Sequence, residues 1–370
     1  MGGGPVVVCL DKFRGSLSAV EATAALARGL RSAGAEAVEL PVADGGEGTV
    51  AAVVRAGATG LRRRVPGPDG NPVDAVFAVR DGRAVVELAE ASGLHLLGQP
   101  EPLTATTRGT GVLVRAALDL GCRSVVLAVG GSATTDGGAG LLEALGARLL
   151  DARGEPLPPG GGALRDLARL DLTGLDPRLA GCAVILASDV DSPLLGPVGA
   201  AAVFGPQKGA GPADVAALEA GLARWAECLA AVTGRDLAAT PGAGAAGGTG
   251  LAALAVLGAD RRPGIDVVLD EIGADRQLAG AKLVVVGEGR LDEQSLHGKA
   301  PVGVAARTPS GVPVVAVCGD CTVSDERLRA AGIDSAETLL AEAGGDVARA
   351  MAQAGELLAR VGQRLAAGLR

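Results

Sequence analysis

Short valine-rich runs recur along the chain, and each is followed by a polar loop and then by a helical pattern. The first run is Val6–Leu10, and a similar run, KLVVVG, occupies residues 282–287. Strands that are apolar on both faces are typical of parallel sheets covered by helices. The alternation of strand, loop and helix therefore predicts an α/β fold with a Rossmann-like parallel sheet.

Local signals set the boundaries of the other elements. Ser18 and Glu21 form an S-x-x-E capping box that opens a helix reaching about Ala33. The turn sequences PDGN and RDGR divide residues 62–88 into the short strands of an antiparallel meander. The remaining predicted strands are 37–41, 124–129, 182–188 and 313–319; the remaining predicted helices are 49–56, 109–119, one that ends at 147, 213–233, one from 251, one after the 288–301 loop, and helices from 320 to the end.

The length of 370 residues favours two domains, because single cores rarely grow so large. The strand and helix rhythm is clearest at the two ends of the chain. We therefore predict a Rossmann-like domain built from residues 1–61 and 281–370, interrupted by a mixed α/β domain at 62–280. The active site is predicted to lie in the cleft between them.

Composition argues against several classes of partner. Three Phe, one Trp and no Tyr leave few aromatic faces for stacking nucleic-acid bases, and a net charge of −8 disfavours nucleic acid and anionic membranes. The apolar run near the N-terminus is too short for a signal peptide or a membrane span. We expect a cytoplasmic protein, a monomer or homodimer, that binds small molecules.

Six cysteines are scattered through apolar runs, as buried reduced thiols are. Cys318 and Cys321 form a CxxC, CGDC, for which packing is the favoured interpretation. A zinc site would need further ligands, and the chain has two histidines and no second CxxC. A thioredoxin-like role is the weaker alternative.

Lysine is rare, since only four of the 34 lysines and arginines are lysines. Lys282 opens a strand, whereas Lys12, Lys208 and Lys299 lie in polar or glycine-rich loops. A lysine that persists where arginine is abundant suggests a need for a compact point charge. These three loop lysines are therefore candidate catalytic residues.

Carboxylates follow several predicted strands at the point where each strand ends. In open parallel sheets, ligands bind outside the carboxyl ends of the strands. We therefore expect these loops to meet in one site. The acidic positions at these ends are Asp11, Asp44, Glu47, Asp136, Asp189, Asp191, Glu288 and Asp292.

The loop GGSATTDGGAG (130–140) has the composition of an anion-binding cradle. Glycines let backbone N–H groups approach a phosphate, and hydroxyls add donors without bulk. Asp136 is then placed to bind a metal or to accept a proton. TATTRGTG (104–111), with Arg108, and AGGTG (246–250) have the same character. The candidate nucleotide-binding residues are Gly130, Gly131, Ser132, Thr134, Thr135, Gly137, Gly248 and Thr249.

No standard P-loop, protein-kinase signature or nucleophile elbow occurs in the sequence. His95 is interpreted as structural, and His297 as a possible substrate contact. Carboxylates, loop lysines and glycine cradles together suit phosphoryl transfer, in which Mg²⁺ is held by carboxylates and phosphates, and an aspartate accepts a hydroxyl proton.

These motifs together resemble the glycerate kinases of the bacterial sugar-acid-degradation type, in order and spacing over most of the chain. The family implies a Rossmann-like domain interrupted by a second α/β domain. It also implies ATP- and Mg²⁺-dependent phosphorylation of D-glycerate, with 2-phosphoglycerate the product associated with this branch. CGDC is a departure from the family pattern. The matching stretches are 11–19, 41–49, 104–111, 130–140, 187–196, 204–210, 247–252 and 287–305.

The resemblance yields role hypotheses for the candidate residues. Asp189 is the favoured base for the glycerate hydroxyl, because it ends a strand with Asp191 beside it. Lys12 and Arg14 are expected to clamp the glycerate carboxylate or the transferring phosphoryl group, followed by Lys208 and Lys299. The candidate metal ligands are Asp136, Glu288 and Asp292; the candidate substrate contacts are Asp11, Arg14, Asp44, Glu47, Arg108 and Asp191.

Two alternatives remain open from the sequence. One is a phosphatase or phosphomutase with an aspartyl nucleophile, and the other is a sugar-acid sensor without catalysis. The sequence also leaves open whether O2 or O3 of glycerate is phosphorylated, because the two poses differ by only about 1.5 Å.

Overall fold

Strands and helices alternate along the chain in this computed structural model, which describes residues 4–296 and 298–369. In chain order the strands are β1 (Val6–Leu10), β2 (Ala37–Glu39), β3 (Thr59–Pro66), β4 (Pro72–Arg80), β5 (Arg83–Glu87), β6 (Ser124–Ala128), β7 (Arg148–Leu150), β8 (Arg169–Asp171), β9 (Ala183–Ala187), β10 (Asp260–Arg262), β11 (Leu283–Gly287), β12 (Arg290–Leu291), β13 (Val314–Cys318), β14 (Asp320–Cys321) and β15 (Ser335–Thr338).

The helices have the following bounds, with short 3₁₀ segments at Leu94–Leu96, Gly161–Asp166, Pro177–Gly181 and Pro206–Lys208. The α-helices are α1 (Ala19–Ser32), α2 (Thr49–Arg55), α3 (Ala89–Ser92), α4 (Arg108–Asp119), α5 (Ala139–Ala144), α6 (Ala200–Phe204), α7 (Pro212–Thr233), α8 (Ala245–Ala255), α9 (Gly264–Ile272), α10 (Ala274–Leu278), α11 (Ala300–Arg307), α12 (Asp325–Ala330), α13 (Leu339–Glu342), α14 (Val347–Ala352) and α15 (Ala354–Gly368).

Contacts divide the chain into two compact units. Unit 1 takes in the described residues of Met1–Asp44, Ala51–Gly57 and Ile265–Arg370, and unit 2 comprises Gly45–Val50 and Ala58–Gly264. The predicted division into two domains, one of residues 1–61 with 281–370 and one of residues 62–280, stays a prediction.

Unit 1 contains a five-stranded parallel sheet in the order β15-β13-β11-β1-β2. Two strands come from the N-terminal part of the chain and three from the C-terminal part, so the predicted Rossmann-like sheet built from both ends is confirmed. The chain runs outward from β1 to β2 on one side and from β11 to β15 on the other. The point where the strand order reverses therefore lies between β1 and β11, which is where ligands bind in open α/β sheets.

Helix α1 forms as its sequence predicts. The Ser18 side chain accepts a hydrogen bond from the Glu21 N–H, and the Glu21 carboxylate accepts one from the Ser18 N–H, which completes the capping box. The helix packs closely on α15, because a Cβ at Gly29 would lie 1.9 Å from the carbonyl oxygen of Ala359. Any larger residue at Gly29 would force the two helices apart.

Unit 2 contains a six-stranded mixed sheet in the order β10-β9-β6-β5-β4-β3. The three strands from Thr59 to Glu87 pair antiparallel, as the turn sequences predict, and β5, β6, β9 and β10 pair parallel. Phe77 and Trp225 are fully buried in its core among alanine, valine and leucine side chains. The few aromatic residues of the chain are thus used for packing.

Two predictions about local structure are wrong. The segment after residue 320 is not all helical, because β15 (Ser335–Thr338) extends the parallel sheet beside β13. Its sequence, SAET, is polar and largely half-buried at the sheet edge, so it lacks the apolar run of a central strand. The helix predicted to reach residue 147 ends at Ala144, and β7 pairs with β8 soon after it. Among the described residues no helix is long and apolar enough to cross a membrane.

Candidate active site

The register of the unit 1 sheet brings the carboxylates after β1 and β11 to the same level. Leu10 pairs with Gly287, and Asp11 and Glu288 are the next residues of the two strands. The Asp11 N–H donates to the Gly287 carbonyl at 2.8 Å, so the ladder continues one step beyond the strands. Both carboxylates therefore lie at the point where the strand order reverses.

A cavity of about 690 Å³ opens in unit 1 at this point, a volume in the range of small-molecule sites. Its polar lining combines cationic and acidic side chains. The cationic ones are Lys12, Arg14, Arg290 and Lys299, the acidic ones are Asp11, Asp44, Glu288, Asp292 and Asp320, and Ser16 and Gln294 complete the polar set.

The loop after β1 is shaped by a tight turn that presents Arg14. Phe13 and Leu17 exchange backbone hydrogen bonds at 2.8 and 3.0 Å, and Gly15 at the tip has φ +77°. That conformation favours glycine. Phe13 is buried beneath the turn while Arg14 is exposed at the cavity wall.

Lys12 lies between two carboxylates of the cavity. Its Nζ is 3.8 Å from Asp11 Oδ1 and 3.9 Å from Asp44 Oδ1. Burial raises the pKa of Asp11 to about 7; the Lys12 charge opposes this rise, and the Asp44 and Glu288 charges add to it. Asp11 thus has a pKa near neutrality in a cavity lined by cations, a combination that is common at functional sites.

Glu288 places a buried carboxylate at the wall of the cavity. The residue is only 8% exposed, and its Oε1 has no hydrogen-bond partner among the described residues. Burial raises its pKa, opposed by a hydrogen bond from Ser295 and by the Lys299 charge. A buried acceptor without a partner costs free energy, so its persistence at a cavity wall indicates a ligand-binding role.

Asp292 has a more local role in the same loop. Its Oδ1 accepts hydrogen bonds from the N–H groups of Gln294 and Ser295 at 2.9 and 3.2 Å, which closes the turn. Burial by itself raises the pKa of Asp292. The hydrogen bonds and the Lys299 charge outweigh burial, so the pKa of Asp292 is lowered overall. Its carboxylate is therefore ionised and fixed in orientation, one oxygen being occupied by the turn.

Most of the apolar lining of the cavity comes from the C-terminal segment of unit 1. The described residues of that segment place helices α13 and α14 at the cavity. The apolar lining residues are Phe13, Leu339, Leu340, Val347, Ala350, Met351 and Ala354.

In unit 2, Asp136 is surrounded by protein donors. It is fully buried, and its Oδ2 accepts hydrogen bonds from Thr107 N and Oγ1, both at 2.8 Å, and from Gly140 N at 3.2 Å. Its Oδ1 accepts one from Gly138 N at 3.1 Å, and Thr106 Oγ1 is 3.5 Å from Oδ2. Burial raises the pKa of Asp136, while these donors oppose the rise.

Glycines of the 130–140 loop are explained by packing against the protein itself. A Cβ at Gly137 would lie 2.4 Å from Trp225 Cδ1, and Trp225 Nε1 donates to the Gly137 carbonyl at 2.9 Å. A Cβ at Gly247 would lie 2.0 Å from the Thr134 carbonyl oxygen. The loop and the 246–249 segment therefore need glycine in order to pack together, whatever else they bind.

Lys208 is also buried in unit 2, where its Nζ donates to the Thr134 carbonyl. Burial lowers the pKa of Lys208 to about 8, opposed by the Asp136 charge. Thr134 Oγ1 and Ser132 Oγ share a hydrogen bond at 3.0 Å, and Thr135 Oγ1 has no partner among the described residues. This part of unit 2 is a buried polar network in which the Thr135 hydroxyl is open to a further partner.

Asp189 and Asp191 follow β9 and make different contacts. Asp189 Oδ1 accepts a hydrogen bond from the Gly264 N–H at 2.8 Å, whereas Asp191 forms an ion pair with Arg261. Both aspartates are exposed. They thus point to different partners within unit 2, as expected for alternating positions of an extended segment.

The remaining charged candidates of unit 2 form ordinary ion pairs. Glu47 Oε1 lies 3.5 Å from His95 Nδ1, and its side-chain hydrogen bond raises the pKa of that histidine. Arg108 NH1 lies 4.0 Å from Glu143 Oε2. His95 therefore has a charged partner, in addition to the structural role predicted for it.

The structure distributes the predicted site residues between the two units. His297 lies outside the described residues. The cavity in unit 1 collects Asp11, Lys12, Arg14, Asp44, Glu288, Asp292 and Lys299. Unit 2 contains Glu47, Arg108, Gly130, Gly131, Ser132, Thr134, Thr135, Asp136, Gly137, Asp189, Asp191, Lys208, Gly248 and Thr249.

Sequence reasoning did not select Arg290, Asp320 or the apolar wall of the cavity. Arg290 and Asp320 are paired in register by the two-residue strands β12 and β14. Such short pairing leaves no periodic signal in a sequence. Arg290 does stand in the GEGRLDEQS stretch between two selected carboxylates, and that position could have indicated it.

The carboxylates of the cavity are candidate ligands for Mg²⁺. Among residues 4–296 and 298–369, no group of three His, Cys, Asp or Glu side chains is arranged to hold a metal ion. Mg²⁺ that accompanies a nucleotide takes most of its ligands from phosphates and water, and needs only one or two carboxylates from the protein. The unpaired Oε1 of Glu288, with Asp11 nearby, fits that requirement.

Known proteins match the chain over nearly its whole length. The family model described as the glycerate kinase family matches residues 6–370. The chain belongs to the glycerate kinase family. Membership confirms the resemblance expected from the motifs, and the α/β fold agrees with it.

Individual relatives of this family cover most of both chains. A glycerate kinase of Bacillus subtilis (strain 168) is 47% identical over 338 residues, which is 89% of this chain and 88% of that protein. The glycerate 2-kinase of Escherichia coli (strain K12) is 42% identical over 348 residues, 92% and 91% of the two chains. A crystal structure of a candidate glycerate kinase 2 from Salmonella typhimurium LT2 is 40% identical, with a TM-score of 0.84 over 99% of this chain and 98% of that one.

Proposed function

We propose that the cavity of unit 1 is the site at which the γ-phosphoryl group of ATP is transferred to the 2-hydroxyl of D-glycerate, giving 2-phosphoglycerate. Membership of the glycerate kinase family supports an ATP-dependent kinase, as the sequence predicted. The relative named glycerate 2-kinase supports the choice of O2. The observation that carries the proposal is the convergence, at the switch point of the sheet, of four cations with the buried carboxylate of Glu288, whose Oε1 has no hydrogen-bond partner among the described residues.

The four cations suit the charge that phosphoryl transfer must neutralise. ATP and glycerate are both anionic, and their reacting groups repel each other unless positive charge lies between them. Lys12, held between Asp11 and Asp44, can reach a transferring phosphoryl group as a compact point charge. The exposed forks of Arg14 and Arg290 can bind a carboxylate or phosphate with two parallel hydrogen bonds.

Glu288 is the protein ligand that we propose for nucleotide-bound Mg²⁺. The ion would neutralise charge on the phosphates, and the unpaired Oε1 would gain the partner that it lacks in the cavity. Burial raises the pKa of Glu288, and the Lys299 charge opposes this rise and favours the ionised carboxylate. We propose that Asp136 has a structural role and is not a metal ligand, since protein donors already bind both of its oxygens.

Two carboxylates compete for the role of general base. Asp11 lines the cavity, is buried and has a pKa near 7, which suits proton transfer at neutral pH. Asp189, the base predicted from sequence, is exposed at the carboxyl end of β9. The geometry favours Asp11, and paired substitutions distinguish the two.

The experiment that tests the function is a phosphorus NMR analysis of the product formed from ATP and D-glycerate. We expect a glycerate-dependent release of ADP and the signal of 2-phosphoglycerate. A 3-phosphoglycerate signal would overturn the regiochemistry alone. The absence of ADP release would favour the sensor alternative. A phosphate label retained on an aspartate of the protein would favour the phosphatase or phosphomutase alternative.

The cellular setting forms part of the proposal. Cytoplasmic location is supported by the six cysteines, all of which are free thiols in the structure. Small anionic molecules are the proposed ligands, since the cavity has the size and the cations to bind them.

A further inference from the structure

Cys318 and Cys321 form a pair of neighbouring thiols at the wall of the cavity. Cys318 ends β13 and is fully buried, whereas Cys321 lies in β14 and is partly exposed. Each thiol donates a weak hydrogen bond to a backbone carbonyl, Cys318 Sγ to Glu337 and Cys321 Sγ to Val323, both at 3.7 Å, and the two thiols are close enough to influence each other's ionisation. The residues between them, Gly319 and Asp320, line the cavity.

Cys321 is partly exposed, unlike the other cysteines of the chain. The other thiols are all free and all buried: Cys9, Cys122, Cys182, Cys228 and Cys318. A small oxidant in solution therefore meets Cys321 first, with Cys318 beside it.

The backbone of this thiol pair is hydrogen-bonded to the loop that carries Glu288. Gly319 N donates to the Glu288 carbonyl at 3.1 Å, and Asp320 N donates to the Gly289 carbonyl at 3.2 Å. The contact is tight, because a Cβ at Gly319 would lie 2.3 Å from the Gly289 carbonyl oxygen. Gly319 also accepts a hydrogen bond from Leu340 N at 3.0 Å, which links it to the apolar wall. These bonds connect the segment between the two thiols to the Glu288 loop and to Leu340 of the apolar wall.

The pair has an asymmetry suited to oxidation. The interaction with the neighbouring Cys318 thiol lowers the pKa of Cys321 to about 6, against burial, and the same interaction raises the pKa of Cys318. Cys321 is therefore the thiolate that attacks, and Cys318 the thiol that resolves the product.

We propose that Cys318 and Cys321 are a reversible thiol–disulfide pair, oxidised by peroxides, whose disulfide form distorts the Gly319–Asp320 segment and lowers the phosphoryl-transfer activity of the adjoining cavity. The effect on activity rests on the proposed function, whereas formation of the disulfide does not.

The oxidation of the two thiols balances with one molecule of hydrogen peroxide as the oxidant. The Cys321 thiolate attacks one oxygen and breaks the O–O bond, giving a sulfenic acid and a hydroxide that takes up a proton to become water. The Cys318 sulfur then attacks the Cys321 sulfur, losing its proton to the departing hydroxyl, which leaves as a second water. Two thiols are oxidised to one disulfide, and one peroxide is reduced to two waters.

One tryptic peptide allows the disulfide to be read directly. Residues 308–327 lie between Arg307 and Arg327 and contain Cys318 and Cys321 but no other cysteine. The purified chain is treated with hydrogen peroxide, its free thiols are alkylated, and the peptide is weighed. We expect an unalkylated peptide lighter by two hydrogens, and recovery of two alkylation sites after dithiothreitol.

Activity is followed in the same samples. We expect kcat/KM for glycerate phosphorylation to fall about 10- to 100-fold on oxidation, as ångström-scale misplacement of site groups does, and to return with dithiothreitol. Cys321→Ser should keep its activity through the peroxide treatment. Cys228→Ser, which removes a buried thiol of unit 2, should respond as the wild type does.

Three results would overturn the proposal. Failure of the peptide to form the disulfide would remove the pair itself. A disulfide without change in activity would remove its link to the cavity. Loss of activity in peroxide-treated Cys321→Ser would assign the effect to another group. If the untreated chain shows no kinase activity, the proposed function fails, while the peptide mass still decides whether the disulfide forms.

Discussion

Two glycine-rich loops of this protein follow parallel strands and carry a buried carboxylate, yet they differ in how that carboxylate is satisfied. After β11 in unit 1, Glu288 lines a cavity, and its Oε1 has no hydrogen-bond partner in the part of the chain that the structure describes. After β6 in unit 2, the two oxygens of Asp136 accept hydrogen bonds from Thr107, Gly138 and Gly140. The first carboxylate has an oxygen open to a ligand, whereas both oxygens of the second are already bound by protein donors.

Glycine content does not separate these two cases. Gly287 is needed because a Cβ would lie 1.8 Å from the Val317 carbonyl oxygen, and Gly137 because it packs on Trp225. Both loops use glycine for close backbone packing. What distinguishes the two carboxylates is therefore how many of their hydrogen bonds the fold supplies.

The largest expected effect is at Glu288. Glu288→Gln keeps the size of the side chain but removes the charge proposed to bind nucleotide-bound Mg²⁺, so kcat should fall about 10³-fold or more. The melting temperature should not fall, because a neutral amide is easier to bury. Steady-state kinetics and thermal unfolding measure the two effects.

Glu293→Gln, in the same loop but exposed and paired with Arg327, serves as the control and should change kcat less than about twofold. Normal turnover in Glu288→Gln would contradict the cavity assignment.

The base is decided by a matched pair of variants. Removing a general base should lower kcat about 10²- to 10³-fold. We expect this loss in Asp11→Asn and a much smaller one in Asp189→Asn, measured by coupled ADP release at saturating substrates. A large loss in Asp189→Asn and a small one in Asp11→Asn would identify Asp189 as the general base. The general base would then not come from the unit 1 cavity.

Asp136 should affect stability and not chemistry. In Asp136→Asn the amide would direct donors at the N–H groups that now donate to the carboxylate, and the free energy of unfolding should fall by about 2–4 kcal/mol. Urea denaturation measures this change, and kcat per folded molecule should stay within about twofold of wild type. A stable variant without activity would break the contrast between the two loops and restore Asp136 as a metal-ligand candidate.

A smaller effect concerns the pH dependence of stability. The pKa of Asp11 is about 7 in the folded chain against an ordinary value of 3.8, so the folded state holds this proton more tightly. Stability contributed by the protonated group is therefore lost as pH rises from about 4 to about 7. Asp11→Asn should gain about 1–3 kcal/mol over wild type at pH 8 and nothing at pH 4. Melting curves across this range measure the difference, and a constant difference would contradict the raised pKa.

The sequence alone predicted the features that depend on residues close together in the chain. The capping box of Ser18 and Glu21 involves neighbours three residues apart, and the turns in residues 62–88 set the antiparallel meander. The buried strand at Val6–Leu10 was equally clear, because its apolar run has no solvent-facing alternative. The family also followed from motif order alone, and the comparisons confirm it.

The site could be predicted only in part. Asp11, Lys12, Glu288 and Lys299 stand at strand ends or in the loops that follow them, and topology brings such positions together. Arg290 and the wall around Met351 were missed because no local pattern marks which loop or helix will face a cavity. Asp136 was selected for the same composition as Glu288, and nothing in composition reports on hydrogen-bond partners.

By itself the sequence determined the fold class, the parallel sheet drawn from both chain ends, the family and the set of polar loops. Only the tertiary structure decided which carboxylate is left unpaired. The main donors to Asp136 come from Thr107, 29 residues away, and Asp11 stands beside Glu288 because β1 pairs with a strand from the other end of the chain. Helix caps and turns depend on near neighbours, whereas the hydrogen-bond satisfaction of a buried group depends on every segment that packs around it.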